Sequence, residues 1–113
     1  MNDDIDNIDP LNLTPELRIV VCTLLAIQHC GNRPAHVYSL MEGLYDPCDL
    51  NHDNICDTTR EFSRILARMH ACGWITAVDS KGFILLTDVG DEAATDLKNY
   101  YSSMGVIDFA TLP

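Results

Sequence analysis

The chain has 113 residues, 47% of them hydrophobic, and a net charge of −10 from 7 Lys and Arg against 17 Asp and Glu. That hydrophobic content excludes a chain disordered by composition, and the length suits one domain around one modest core. The longest dense apolar stretch, 19–27, is too short to cross a bilayer and reads as a buried helix, so no membrane partner is expected.

The chain opens on Met1-Asn2-Asp3-Asp4-Ile5-Asp6, acidic where a signal peptide is basic, and a cytoplasmic protein is the expectation. Residues 1–12 read as an acidic arm. Repulsion of phosphate by that arm predicts that deleting 1–12 tightens binding to random DNA. Five cysteines, an odd number without a disulfide framework, fit a reducing compartment. Cys22, Cys30 and Cys72 read as small core-filling hydrophobes.

The main domain is expected over 13–104. Thr14 is a good N-cap, Pro15 suits the first helical position, and Glu16 suits the positive end of the helix dipole. This first helix runs to about Cys30, where Gly31 stops it. Leu17, Val20, Val21, Leu24, Leu25 and Ile27 cover more than one stripe, so the helix is central or packs against a second subunit. A second helix is predicted from Pro34 to about Leu44, with Val37, Leu40, Met41 and Leu44 on one face. Tyr45 to Asn54 reads as a polar loop. A third helix is expected from Asp57 or Thr58 to about Cys72. Thr58 and Glu61 have capping-box spacing, and Phe62, Ile65, Leu66 and Met69 form the buried face.

Gly73 ends that helix. Trp74 to Val78 and Phe83 to Leu86 read as the legs of a short hairpin around Asp79-Ser80-Lys81-Gly82. Thr87 then caps a last helix with Val89, Ala93, Leu97, Tyr100 and Met104 as its apolar stripe. Residues 105–113 form an apolar tail carrying Val106, Ile107, Phe109 and Leu112, which is expected to pack rather than dangle.

The fold class is therefore mainly α with a small β-hairpin, in the order helix, helix, helix, strand, turn, strand, helix. The run Thr58-Thr59-Arg60-Glu61-Phe62-Ser63-Arg64-Ile65-Leu66-Ala67-Arg68-Met69, then Gly73-Trp74-Ile75, then Leu86-Thr87-Asp88-Val89-Gly90, resembles winged helix-turn-helix regulators of the MarR and PadR type. The resemblance implies a recognition helix at about 57–72 and a wing at about 74–87. Asp79-Ser80-Lys81 is similar to the Asp-x-Arg of the MarR wing. The segment 45–54 is longer than the turn of a tight helix-turn-helix.

The expected function is a sequence-specific, DNA-binding transcriptional regulator that acts as a homodimer on double-stranded DNA. Helix one, the last helix and the apolar tail would form the dimer contact, and half-sites would lie about one helical turn apart. Arg60, Arg64 and Arg68 recur at i, i+4, i+8, opposite the apolar face of helix three, where guanidinium groups suit phosphate and guanine. Thr58 and Thr59 at the helix start, Lys81 at the wing and Arg33 before helix two complete the expected contacts. Five of the seven bases fall in this set. The alternative is an acidic winged-helix protein that binds another protein without touching DNA, and the charge of −10 is the feature in its favour.

Cys48-x3-His52-x3-Cys56 carries zinc-ligand types at an uncommon spacing, with His29 or His70 as a conceivable fourth ligand. Asp49-x-Asn51-x-Asp53 starts like a calcium loop, but Asn54 stands at the turn glycine and Arg60 at the bidentate acid. No metal and no cofactor is expected. The chain lacks a nucleophile elbow, a phosphate loop or a zinc-protease motif, so no enzyme is expected either.

Overall fold

The computed structural model describes residues 8–31 and 33–105. Most of the acidic arm and nearly all of the apolar tail lie outside the described residues. The elements in chain order are α1 (Pro15–His29), β1 (Ala35–His36), α2 (Val37–Leu44), a short 3-10 turn (Pro47–Leu50), α3 (Ile55–Ala71), β2 (Phe83–Ile84) and α4 (Asp88–Ser103). The fold is mainly helical with one small antiparallel sheet. No helix among the described residues is long and apolar enough to cross a membrane.

Helix α1 starts as its sequence demands. The Thr14 hydroxyl accepts from the Leu17 N–H at 3.1 Å, with Pro15 next in line. Its surplus of apolar residues is consumed within one chain. Val20, Val21, Leu24 and Ile27 are completely buried between α2, α3 and α4. Each such side chain contributes roughly 1.5–3 kcal/mol of burial free energy. Buried Thr23 avoids an orphan hydroxyl by donating to the Ile19 carbonyl at 2.6 Å. Cys22 is buried and Cys72 half-buried, as core filling requires, but Cys30 is exposed at the C-cap.

Pro34 does not begin a helix. It precedes β1, where Ala35 pairs with Ile84 and His36 with Phe83, and α2 starts only at Val37. Pairing with the returning hairpin leg outweighs the local proline signal. Proline without an N–H is equally at home entering an extended segment. His36 caps α2 in place of the usual Ser or Asp, its Nδ1 accepting from the Tyr38 N–H at 3.2 Å. Of the expected α2 face, Met41 is buried while Val37, Leu40 and Leu44 pack against the core from its edge.

Helix α3 begins at Ile55, before either predicted start, and the Thr58–Glu61 capping box does not form. Thr58 lies inside the first turns, and its hydroxyl donates to the Asp49 carbonyl at 2.7 Å. Glu61 accepts instead from the Tyr45 hydroxyl at 3.0 Å. The connecting loop thus docks on α3 and supplies the partners that a free helix start would find locally. The buried face, Phe62, Ile65, Leu66 and Met69, is the predicted one.

The predicted hairpin legs face each other. Thr76 N–H donates to the Leu85 carbonyl at 2.9 Å, Asp79 N–H to the Phe83 carbonyl at 3.0 Å, and Ile75 bridges Leu86. Regular ladder geometry is short, and the second leg pairs on its other side with β1. At the tip, the Asp79 carboxylate accepts from the N–H groups of Lys81 (2.8 Å) and Phe83 (2.9 Å). These bonds hold its carboxyl below the usual carboxylate range, Phe83 first and Lys81 second. Gly82 adopts φ +87° against the His36 ring, where a Cβ would stand 2.9 Å from Nε2.

Helix α4 is anchored at its first turn. Thr87 accepts from the Gly90 N–H at 3.0 Å and donates through its hydroxyl to the Gly73 carbonyl. A Cβ on Gly90 would stand 1.9 Å from the Trp74 carbonyl oxygen, so only glycine permits this approach. That contact sets the rotational phase of α4, and the buried residues are Gly90, Ala94, Leu97 and Tyr101. The expected stripe is therefore displaced by about one position. Val89, Tyr100 and Met104 are 57%, 37% and 45% exposed. The far end of α4 is tied back to the chain start, where the Tyr101 hydroxyl donates to the Pro10 carbonyl at 2.9 Å. Ile8 packs on the core as well, so the described end of the acidic arm is docked.

Candidate nucleic-acid interface

The outward side of α3 and the hairpin beside it form the surface to which the sequence reading points. Thr59, Arg60, Ser63 and Arg64 are exposed on α3. Thr59 and Ser63 border a groove of about 380 Å³, whose other wall is the hairpin leg Thr76–Val78. Arg60 and Arg64 each follow one of these residues, about 100° further round the helix, and point to solvent outside the groove lining. Lys81 is exposed at the hairpin tip. Ser63 was absent from the expected contact set, though its place one turn after Thr59 was readable from the spacing.

Three expected residues lie off this surface. Thr58 is buried and its hydroxyl is engaged by Asp49. Arg68 is half-buried and forms an ion pair with Glu16 at the start of α1. The helical repeat explains the loss of Arg68. A row at i, i+4, i+8 turns by about 40° per step, which carries its third member toward the buried flank. Arg33 is exposed but lines a separate groove between α1 and α2.

The remaining charge is modest. Arg60 pairs with Asp57 one turn earlier at 3.2 Å, an exposed contact in high dielectric that water and salt loosen. Arg64 and Lys81 have no ion pair among the described residues. Glu61 is taken up by Tyr45, and burial together with this carboxylate pushes the Tyr45 phenol well above its ordinary pKa.

The metal-ligand types in the loop do not converge. Cys48, His52 and Cys56 are all exposed, and among the described residues no group of three or more His, Cys, Asp or Glu is placed to hold a metal ion. Asn51 instead accepts from the N–H groups of Asp53 and Asn54, both at 3.0 Å. Asn54 in turn donates to the Cys48 carbonyl at 2.8 Å. These are the bonds of a self-capped polar turn.

Compared with family models, curated proteins and solved structures, the chain matches none.

Proposed function

We propose that the chain is a winged-helix protein that binds double-stranded DNA and regulates transcription rather than acting as an enzyme. One observation carries the reading: Arg64, without an ion pair among the described residues, stands on the exposed face of a helix beside a hairpin whose tip presents Lys81, likewise without one among the described residues. The pairing of β1 with the hairpin supports the fold, because it gives the order helix, strand, helix, helix, hairpin, helix. In this proposal α3 enters the major groove. Arg64 and Arg60 contact phosphate or guanine, Thr59 and Ser63 supply hydroxyl donors, and Lys81 reaches a flanking phosphate. The partner arrangement is a homodimer joined through the outward residues of α4, Val89, Tyr100 and Met104. Tyr100→Glu is expected to yield a monomer by sedimentation, and an unchanged mass refutes the dimer contact.

The test is a mobility shift of the full chain with pooled random duplexes at low salt. A retarded complex that Arg64→Ala weakens supports the proposal. A second reading rests on the engagement of Arg60 and Arg68 by Asp57 and Glu16 in a chain of net charge −10. It makes the protein an acidic module that binds a basic protein partner. Absence of any complex at low salt selects that reading.

A further inference from the structure

A second groove, of about 570 Å³, runs between the C-terminal half of α1 and α2, away from the α3 face. Its floor is apolar: Ala26 from α1, Leu40 and Leu44 from α2, and Phe83 from β2. Its polar groups are different from those of the molecule at large. The chain carries 17 acids against 7 bases, and the adjoining groove along the N-terminal half of α1 is lined by Glu16, Asp46, Asp49 and Glu61. The α1–α2 groove has no carboxylate among its described lining residues, and Arg33 stands at its edge. Arg33 is exposed and has no ion pair among the described residues. His36 lies beside it, with Nδ1 committed to the Tyr38 N–H, so its other nitrogen carries the proton and is a donor.

We infer that this groove binds a small amphipathic carboxylate, its anion paired with Arg33 and its hydrocarbon body laid over Ala26, Leu40, Leu44 and Phe83. Size, polarity and charge agree on that class. The volume lies in the range of about 300–1,000 Å³ typical of small-molecule sites, which pair an apolar lining with few polar groups. A lone guanidinium matches one carboxylate fork. With no carboxylate among its described lining residues, the groove lessens the repulsion that an anion meets on a chain of net charge −10. The inference does not depend on DNA binding, because it uses none of the α3 residues.

The experiment is a titration of the ¹⁵N-labelled full chain with octanoate, and with octanamide as the neutral isostere, followed by amide chemical shifts. Octanoate is expected to move the resonances of Ala26, Leu40 and Phe83 saturably and to bind about tenfold more tightly than octanamide. Arg33→Gln is expected to abolish that preference and leave octanamide unchanged. Gly43→Phe is expected to fill the groove and block both, because a Cβ at Gly43 meets nothing within 4 Å and the fold accommodates it. The inference is overturned by shifts that miss these residues, by equal affinity for acid and amide, or by undiminished binding to Gly43→Phe.

Discussion

The seam between α1 and α4 and the face formed by α3 and the hairpin are both built on amphipathic helices, yet they use their polar atoms in opposite ways. Along the seam, polar groups are turned inward and matched. Gln28 donates from its amide to Thr95 at 2.8 Å and to Asp91 at 2.9 Å, and Tyr101 reaches back to Pro10. On the α3–hairpin face, Thr59, Ser63, Arg64 and Lys81 stay outward. The contrast separates residues that hold the molecule together from residues available to a partner. It predicts that substitutions in the two regions fail in different assays.

The largest effects are expected in the core, along the seam and where the start of α4 meets the base of the hairpin. Leu24→Ala empties a fully buried site and should cost about 2–5 kcal/mol of unfolding free energy in urea titration. Gly90→Ala forces a Cβ onto the Trp74 carbonyl and should cost about 3 kcal/mol, with the loss appearing as a lowered Tm. Thr87→Ala removes both the α4 cap and the tie to Gly73 and should cost about 1 kcal/mol, while Thr87→Ser should stay near the parent. A near-neutral Gly90→Ala would mean that the first turn of α4 does not set the helix phase.

Asp79 sharpens the comparison from the other side. Its carboxyl is held below the usual range by hairpin N–H groups, so it stabilises the folded tip above an unfolded pKa of about 3.9. That stability is lost as pH falls through the lower folded value. Protection of the Lys81 and Phe83 amides, relative to the unfolded chain at the same pH, should therefore fall in acid while α1 amides keep theirs. Asp79→Asn should remove the acid sensitivity. Exchange at the tip that stays independent of pH-dependent unfolding in the parent would contradict this assignment.

Helix content and the caps of α1 and α4 were legible because they are local. Thr14 followed by Pro15, and Thr87 followed three residues on by Gly90, are written in adjacent residues. What escaped reading depends on partners distant in the chain. β1 exists because residues 83–84 return beside it, and α3 begins at Ile55 because the loop supplies Asp49 as a partner for Thr58. The phase of α4 likewise follows from the Gly90–Trp74 contact, and a rotation of one residue was enough to expose Val89, Tyr100 and Met104. On the candidate interface, spacing alone grouped Arg68 with Arg60 and Arg64. The drift of about 40° per step and the position of Glu16 on α1 together separate it from them.

The smallest effect on stability is expected at Arg64. Arg64→Ala should leave unfolding within about 0.5 kcal/mol of the parent, as suits an exposed residue with no ion pair among the described residues. The most direct measurement of the central claim is the slope of log K against log salt for duplex DNA, by fluorescence anisotropy, for the parent and Arg64→Ala. The account predicts salt-sensitive binding whose slope becomes shallower by about one in the variant, as one phosphate contact is lost. Identical slopes, or no binding at low salt, would contradict the assignment of α3 as the DNA-contacting surface.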